Sequence, residues 1–212
     1  MAELKLLALD LGAESGRAVV GHLANSAPEY QHIYMEERAI KRVGYIVVST
    51  DRGLCGGLNS NLFKLVINEM RQWKEQGVDV DLVLVGAKAV QFFRRMGGSV
   101  LGTASHLGDR PSVNDLIGSI RIMLDEYEEG RIDRLFLFHS EFVSAMSQKP
   151  VAQSILPVSE IDLGDESLQA HWDYIYEPDA GELLDDVLTR YIESQVYRGA
   201  GENFACELAA KM

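Results

Sequence analysis

An α/β fold, with a mostly parallel sheet sandwiched by helices, is what this sequence predicts, on three observations. Apolar runs of strand length recur along the chain. Amphipathic helical patterns alternate with them, as in strand–helix–strand units. The composition, 47% hydrophobic and 25% charged over 212 residues, is that of an ordinary globule with a sizeable core.

The elements follow in chain order. Leu4–Leu11, Val43–Ser49, Leu82–Val85 and Leu135–His139 read as strands, each rich in Val, Ile, Leu or Phe. Their continuous apolar character suits strands covered on both faces. Leu62, Leu65, Val66, Met70 and Trp73 recur at helical spacing and make one apolar face that ends near Gly77. A short helix is predicted from Ala87 to Met96, stopped by Gly97-Gly98. Val113, Leu116, Ile117, Ile120, Leu124 and Tyr127 mark another helix, with Ser112 and Asp115 in capping-box spacing and Gly130 at its end. The acidic stretch from Ser159 to Ala170 reads as a surface loop, and Trp172–Tyr176 as a strand of alternating aromatics ended by Pro178. From Pro178-Asp179 a helical pattern runs through Leu184, Val187, Leu188, Tyr191 and Ile192 and resumes at Phe204. Gly199 and Gly201 interrupt it, each costing about 1 kcal/mol in a helix interior, so one long helix or two collinear ones are expected.

Charge and composition exclude several classes of function. Thirty-two acidic residues against 20 basic ones leave a net charge of −12, the wrong sign for neutralising nucleic-acid phosphates. No apolar run approaches the ~18 residues of a membrane span, and the N-terminus carries no secretory pattern, so a soluble cytosolic domain is expected. Cys55 and Cys206 lie far apart in sequence, and the five histidines show no metal-ligand spacing, so neither a metal nor a cofactor is expected.

Three segments could carry function. Thr50–Asn59 (TDRGLCGGLN) joins a strand to a helix, where a glycine-rich turn can offer backbone N–H groups to a phosphate. It lacks both the Lys-Ser/Thr of a P-loop and the G-x-G-x-x-G spacing, which favours a tight turn using glycine at φ > 0. Cys55 within it sits before a helix, where a thiolate is favoured, yet a small buried hydrophobe is the commoner role. The second segment, Asp10–Arg17, follows the first strand and could hold a Mg²⁺-bound phosphate. Asp10 would then lie near the metal, with Ser15 and Gly16 donating to oxygens; another glycine turn is the plainer reading. The third, Trp172–Asp179, would present aromatic and acidic groups on one face, which suits a protein interface.

Taken together, these segments resemble a known family. Gly44–Asn59, Met146-Ser147-Gln148, Trp172–Asp179, Arg190–Tyr197 and Glu202 through Met212 are similar to the gamma subunit of bacterial F-type ATP synthases, a likeness running from about Gly21 to Met212. The resemblance implies a non-catalytic central rotor stalk. It would pass torque between the membrane c-ring and the catalytic alpha/beta hexamer, with the epsilon subunit beside it, peripheral to the cytoplasmic face of the bacterial inner membrane. By position it implies that Arg52 meets a catalytic beta subunit and that Tyr174, Tyr176 and Glu177 touch the c-ring loops.

The chain also departs from that family. The family's N-terminal basic axle helix has no counterpart here. In its place Leu4–Arg17 resembles the first phosphate loop of rhamnulokinase-type sugar kinases, with Asp10, Gly12, Ser15 and Gly16 as its phosphate-binding set. Met212 falls where the family's C-terminal axle helix would continue. The expected organisation is therefore a foreign strand-loop at 1–20, an α/β core at 21–178 and the start of a truncated axle helix at 179–212, with rotary coupling impaired.

Overall fold

The computed structural model of the chain describes residues 4–10, 17–23, 32–105, 113–158 and 180–211. The chain divides into two compact units, residues 1–36 with 157–192, and residues 37–156 with 193–212.

In the first unit, β1 (Leu4–Asp10) and β2 (Arg17–Leu23) pair antiparallel from Leu4↔Leu23 to Asp10↔Arg17. The first expected strand thus belongs to a two-stranded hairpin outside the main sheet. A single 3₁₀ turn, Ile33–Met35, follows; the His32 side chain caps it by accepting from the Tyr34 N–H at 3.0 Å. His32 Nε2 is also paired with Asp185. The buried Tyr34 takes the Val158 N–H on its carbonyl at 2.8 Å.

The second unit is built on a five-stranded sheet of order β5-β4-β3-β6-β7. It comprises β3 (Arg42–Val48), α1 (Leu58–Glu75), β4 (Asp79–Val85), α2 (Ala87–Met96), β5 (Ser99–Ala104), α3 (Val113–Glu128), β6 (Arg134–Ser144) and β7 (Ser147–Leu156). Four strands run parallel and β7 returns antiparallel beside β6. The central strand β3 is buried on both faces, which explains its unbroken apolar sequence. Val43, Tyr45 and Val47 pack with Leu62, Phe63 and Val66 of α1 and with Phe93 of α2. On the opposite face a Cβ at Gly44 would lie 2.6 Å from Ile132 Cδ1 and 2.9 Å from Met123 Sδ, so the glycine lets α3 and its exit turn close on the strand.

Helix ends follow the glycines as the sequence predicts. Gly97 closes α2 in the left-handed conformation at φ 73°, and Gly77 and Gly130 follow α1 and α3 at φ 76° and 69°. The expected capping box at Ser112 and Asp115, the Ser159–Ala170 loop and the Trp172–Tyr176 strand lie outside the described residues and side chains. Strands β2, β5 and β7 and the outer half of β6 were not expected; β5 alternates exposed and half-buried residues and lacks a continuous apolar run.

The last helix, α4 (Ala180–Lys211), is 32 residues long and unbroken, so Gly199 and Gly201 do not end it. Its residues 180–192 belong to the first unit and 193–211 to the second.

Candidate functional site

In a doubly wound sheet, ligands settle at the carboxyl ends of the strands where the strand order reverses. Here the chain moves outward from β3 to β4 and β5, then returns to place β6 on the other side of β3. The turn after β3 therefore stands at the reversal point. It is also the glycine-rich segment picked out by sequence.

Side chains brace this turn from within. Ser49 Oγ donates to the Val85 carbonyl at 3.0 Å and accepts the Ala89 N–H at 2.9 Å. Asp51 Oδ1 accepts the Ala87 N–H at 2.9 Å and so caps α2, whose N-cap residue Gly86 has no side chain to do it. Asn59 Nδ2 donates to Thr50 Oγ1 at 2.8 Å and to Cys55 Sγ at 3.2 Å, while Thr50 Oγ1 donates to the Arg52 carbonyl at 2.6 Å. Gly86, at φ 93°, leaves a Cβ no room: it would lie 2.3 Å from the Ser49 carbonyl oxygen. Leu54 (φ 64°) and Gly56 (φ 55°) reverse the chain, in keeping with a tight turn. Arg52 is exposed, and Leu54, at 95% exposure, is the most prominent apolar side chain of the turn.

Helix α4 closes the crevice. A Cβ on Gly199 would lie 2.8 Å from Leu137 Cδ2 and 3.1 Å from the His139 ring, so the missing side chain lets the helix backbone reach β6. Further along, the Cys206 thiol donates to the Ser140 carbonyl at 3.4 Å, and Gln195 pairs with Gln153 of β7 at 3.1 Å. Between α4 and the ends of β3 and β4 a cavity of about 30 Å³ is left, lined by Ser49, Asp51, Gly86, Asn203 and Glu207, with space for one or two waters. The buried Asn203 Oδ1 has no protein partner. A second cavity of about 140 Å³ lies beside Cys55, Gly56, Gly57 and Asn61. Both fall short of the ~300 Å³ at which small-molecule pockets begin. The reversal point is packed with protein.

His139 is buried in the middle of β6, and its Nδ1 stands 3.8 Å from Glu202 Oε2 with no hydrogen bond of its own. Burial pushes its pKa down, partly opposed by Glu202. Cys55 and Cys206 are both buried free thiols. Burial, helped by Glu202 and Glu141, raises the Cys206 pKa to about 11. Among the described residues no group of three or more His, Cys, Asp or Glu could hold a metal ion, and no helix is long and apolar enough to cross a membrane.

The other sequence candidates fall differently. Asp10 is the last residue of β1, opposite Arg17, while Gly12, Ser15 and Gly16 lie outside the described residues, as do Tyr174, Tyr176 and Glu177. Sequence reasoning missed Asp51 as the cap of α2, Asn203 at the small cavity and Gly199 as a contact. Gly199 alone left a signal, as a glycine inside a helical pattern.

Compared with known proteins, the chain matches the family model described as ATP synthase across residues 2–212. The chain belongs to the ATP synthase family. Solved structures agree in fold with this ATP synthase family member. One is the central stalk and c-ring of Tetrahymena thermophila mitochondrial ATP synthase, at TM-score 0.64 and 19% identity over 83% of this chain and 75% of that one. Another is the rotor of Euglena gracilis mitochondrial ATP synthase, at TM-score 0.56 and 18% identity over 86% and 68%. A third, an OSCP/F1/c-ring structure of the Euglena gracilis enzyme, matches at TM-score 0.55 and 20% identity, with 81% of this chain covering 59% of that one. At these identities the likeness is one of fold.

Proposed function

We propose that this chain is the gamma subunit of an F-type ATP synthase: a non-catalytic part of the central stalk that carries torque between the c-ring and the catalytic alpha/beta hexamer. The observation that carries the reading is the closure of the sheet's ligand crevice by α4. An α/β unit whose reversal point is filled by its own helix has no place for a nucleotide, but it grips that helix. The grip is spread over Gly199 on Leu137, Cys206 on Ser140 and Gln195 on Gln153, so a load along the helix is shared by two neighbouring strands, β6 and β7. Membership of the ATP synthase family and the likeness to stalk and rotor structures support the same reading.

In this reading Arg52, exposed on the braced turn, meets a catalytic beta subunit, and Tyr174, Tyr176 and Glu177 meet the polar loops of the c-ring. The epsilon subunit is the expected neighbour, and the protein is peripheral to the cytoplasmic face of a bacterial inner membrane through its complex. A single exposed ion pair at such a contact is worth only about 0–1 kcal/mol, so attachment rests on many residues and the charges mainly set register.

The test is co-elution on size exclusion of the chain with its epsilon subunit and the detergent-solubilised c-ring. The expected result is a joint peak that shifts back toward free chain in the double substitution Tyr174→Ala/Glu177→Ala. A folded chain that elutes alone, and binds Mg-ATP in a manner abolished by Asp10→Ala, would overturn the reading in favour of a phosphoryl-transfer protein.

A further inference from the structure

We propose that Cys55 and Cys206 form a thiol–disulfide site, in which a small disulfide reaches Cys55 through the adjoining cavity and leaves an intramolecular Cys55–Cys206 bond. The two residues are remote in sequence, yet they share one small buried cluster with Leu58, against which Ala210 packs. Both are free thiols. The cavity of about 140 Å³ has Cys55 in its wall, and two glycines, Gly56 and Gly57, beside it offer no side chains to block an approach. Ser140 links the pair: it lines the same cavity, and its carbonyl takes the Cys206 S–H at 3.4 Å.

The environments of the two sulfurs differ, and this assigns their roles. Cys55 Sγ accepts the Asn59 Nδ2–H at 3.2 Å and precedes the 18-residue helix α1. Cys55 lies in the wall of the cavity, which Cys206 does not line. Cys206 is fully buried, and its thiol is pushed up to about 11. Cys55 is therefore the attacking sulfur and Cys206 the resolving one.

The chemistry balances with a small dialkyl disulfide as the oxidant. The Cys55 thiolate attacks one sulfur of that disulfide, forming a mixed disulfide and expelling one alkyl thiolate. Cys206 then gives up its proton, which the expelled thiolate takes, and its own thiolate attacks Cys55 Sγ. The second alkyl thiolate leaves and is protonated by solvent. The two protein thiols have been oxidised by two electrons, and the reagent reduced to two thiols. The product ties α4 covalently to the turn between β3 and α1, at the carboxyl end of the sheet.

The probe is hydroxyethyl disulfide, added to the reduced, folded full-length chain under mildly alkaline conditions. Intact mass is then read after alkylation in denaturant. The expected product has lost two hydrogen masses, takes up no alkyl group, regains both alkylatable thiols with dithiothreitol and unfolds at a higher temperature than the reduced chain. Cys206→Ser should stop with one mercaptoethanol adduct on Cys55, and Cys55→Ser should react about tenfold more slowly or less. The proposal is overturned if the folded wild-type chain keeps both thiols, accumulates adducts without closing, or links into dimers. It is equally overturned if the bond forms as fast in the urea-unfolded chain, because folding would then not bring the sulfurs together.

Discussion

Replacing Gly199 with alanine sets two opposed effects against each other at one added carbon. Alanine is favoured over glycine in a helix interior by about 1 kcal/mol, and position 199 lies well inside α4. The new Cβ, however, would sit 2.8 Å from Leu137 Cδ2 and 3.1–3.2 Å from two carbons of the His139 ring. Leu137 is wholly buried and His139 is 5% exposed, so neither can swing into solvent. Overpacking of this kind costs about 1–3 kcal/mol. The net expectation for Gly199→Ala is therefore a loss of about 0–2 kcal/mol. Gly201 supplies an internal control. It lies in the same helix, and a Cβ there meets nothing within 4 Å, so Gly201→Ala should keep the helical gain of about 0.5–1 kcal/mol. The two variants should differ by about 1–3 kcal/mol in urea unfolding, or about 2–4 °C in midpoint temperature for each kcal/mol at this chain length. Trimming the obstacle provides a second check: Gly199→Ala combined with Leu137→Ala should lose about 1–3 kcal/mol less than the two single losses added together. If Gly199→Ala stabilises the protein as much as Gly201→Ala does, α4 does not approach β6 as described. The closure of the crevice would then fall with it.

Three further perturbations probe the braced turn and its surroundings. Gly86→Ala puts a side chain at φ 93° and a Cβ 2.3 Å from a backbone oxygen, so backbone strain of about 1–3 kcal/mol adds to a clash that only main-chain movement can relieve; a marked fall in urea midpoint is expected. Asp51→Ala removes the cap from α2 and should cost about 0.5–2 kcal/mol, with amide exchange quickening first at the start of that helix. His139 is held below its ordinary pKa of 6.5 by burial, so the unfolded chain binds its proton more readily. Its contribution is intact above about pH 6.5 and is lost as pH falls from there toward the folded value; His139→Gln should flatten the stability–pH profile over that interval, and an unchanged slope would show that this ring does not govern it.

The sequence was most readable where one force acted alone. Buried β3 and β4 are continuous apolar runs because helices or packed side chains cover both faces, and α2 was legible to the residue because Gly97 ends it sterically. β5 was missed because it is an edge strand whose alternating exposure dilutes the apolar signal. Leu4–Asp10 read like a core strand, but an apolar run does not say which neighbour covers it, and here that neighbour in the ladder is β2. The turn at 49–59 was recognisable as a turn. Its bracing was not, because Asp51 capping a helix 36 residues later depends on β3 and β4 lying side by side.

The same limit explains why the glycine-rich turn looks like a weak phosphate loop. Strand, glycine turn and helix N-terminus are what any parallel sheet needs to reverse direction at its carboxyl edge, so the pattern arises whether or not a phosphate binds there. What separates the two cases is whatever occupies the space in front of the turn. That occupant is far away in sequence: Asn203, Phe204 and Glu207 on α4 line the residual cavity with Ser49, Thr50 and Asp51. Two features belong to an occupant made of protein. Gly199 lets the helix backbone approach β6, and Cys206 donates to the carbonyl of Ser140, the β6 residue next to His139. A ligand would require neither. The interruption that seemed to weaken the helix is thus what lets it fill the crevice.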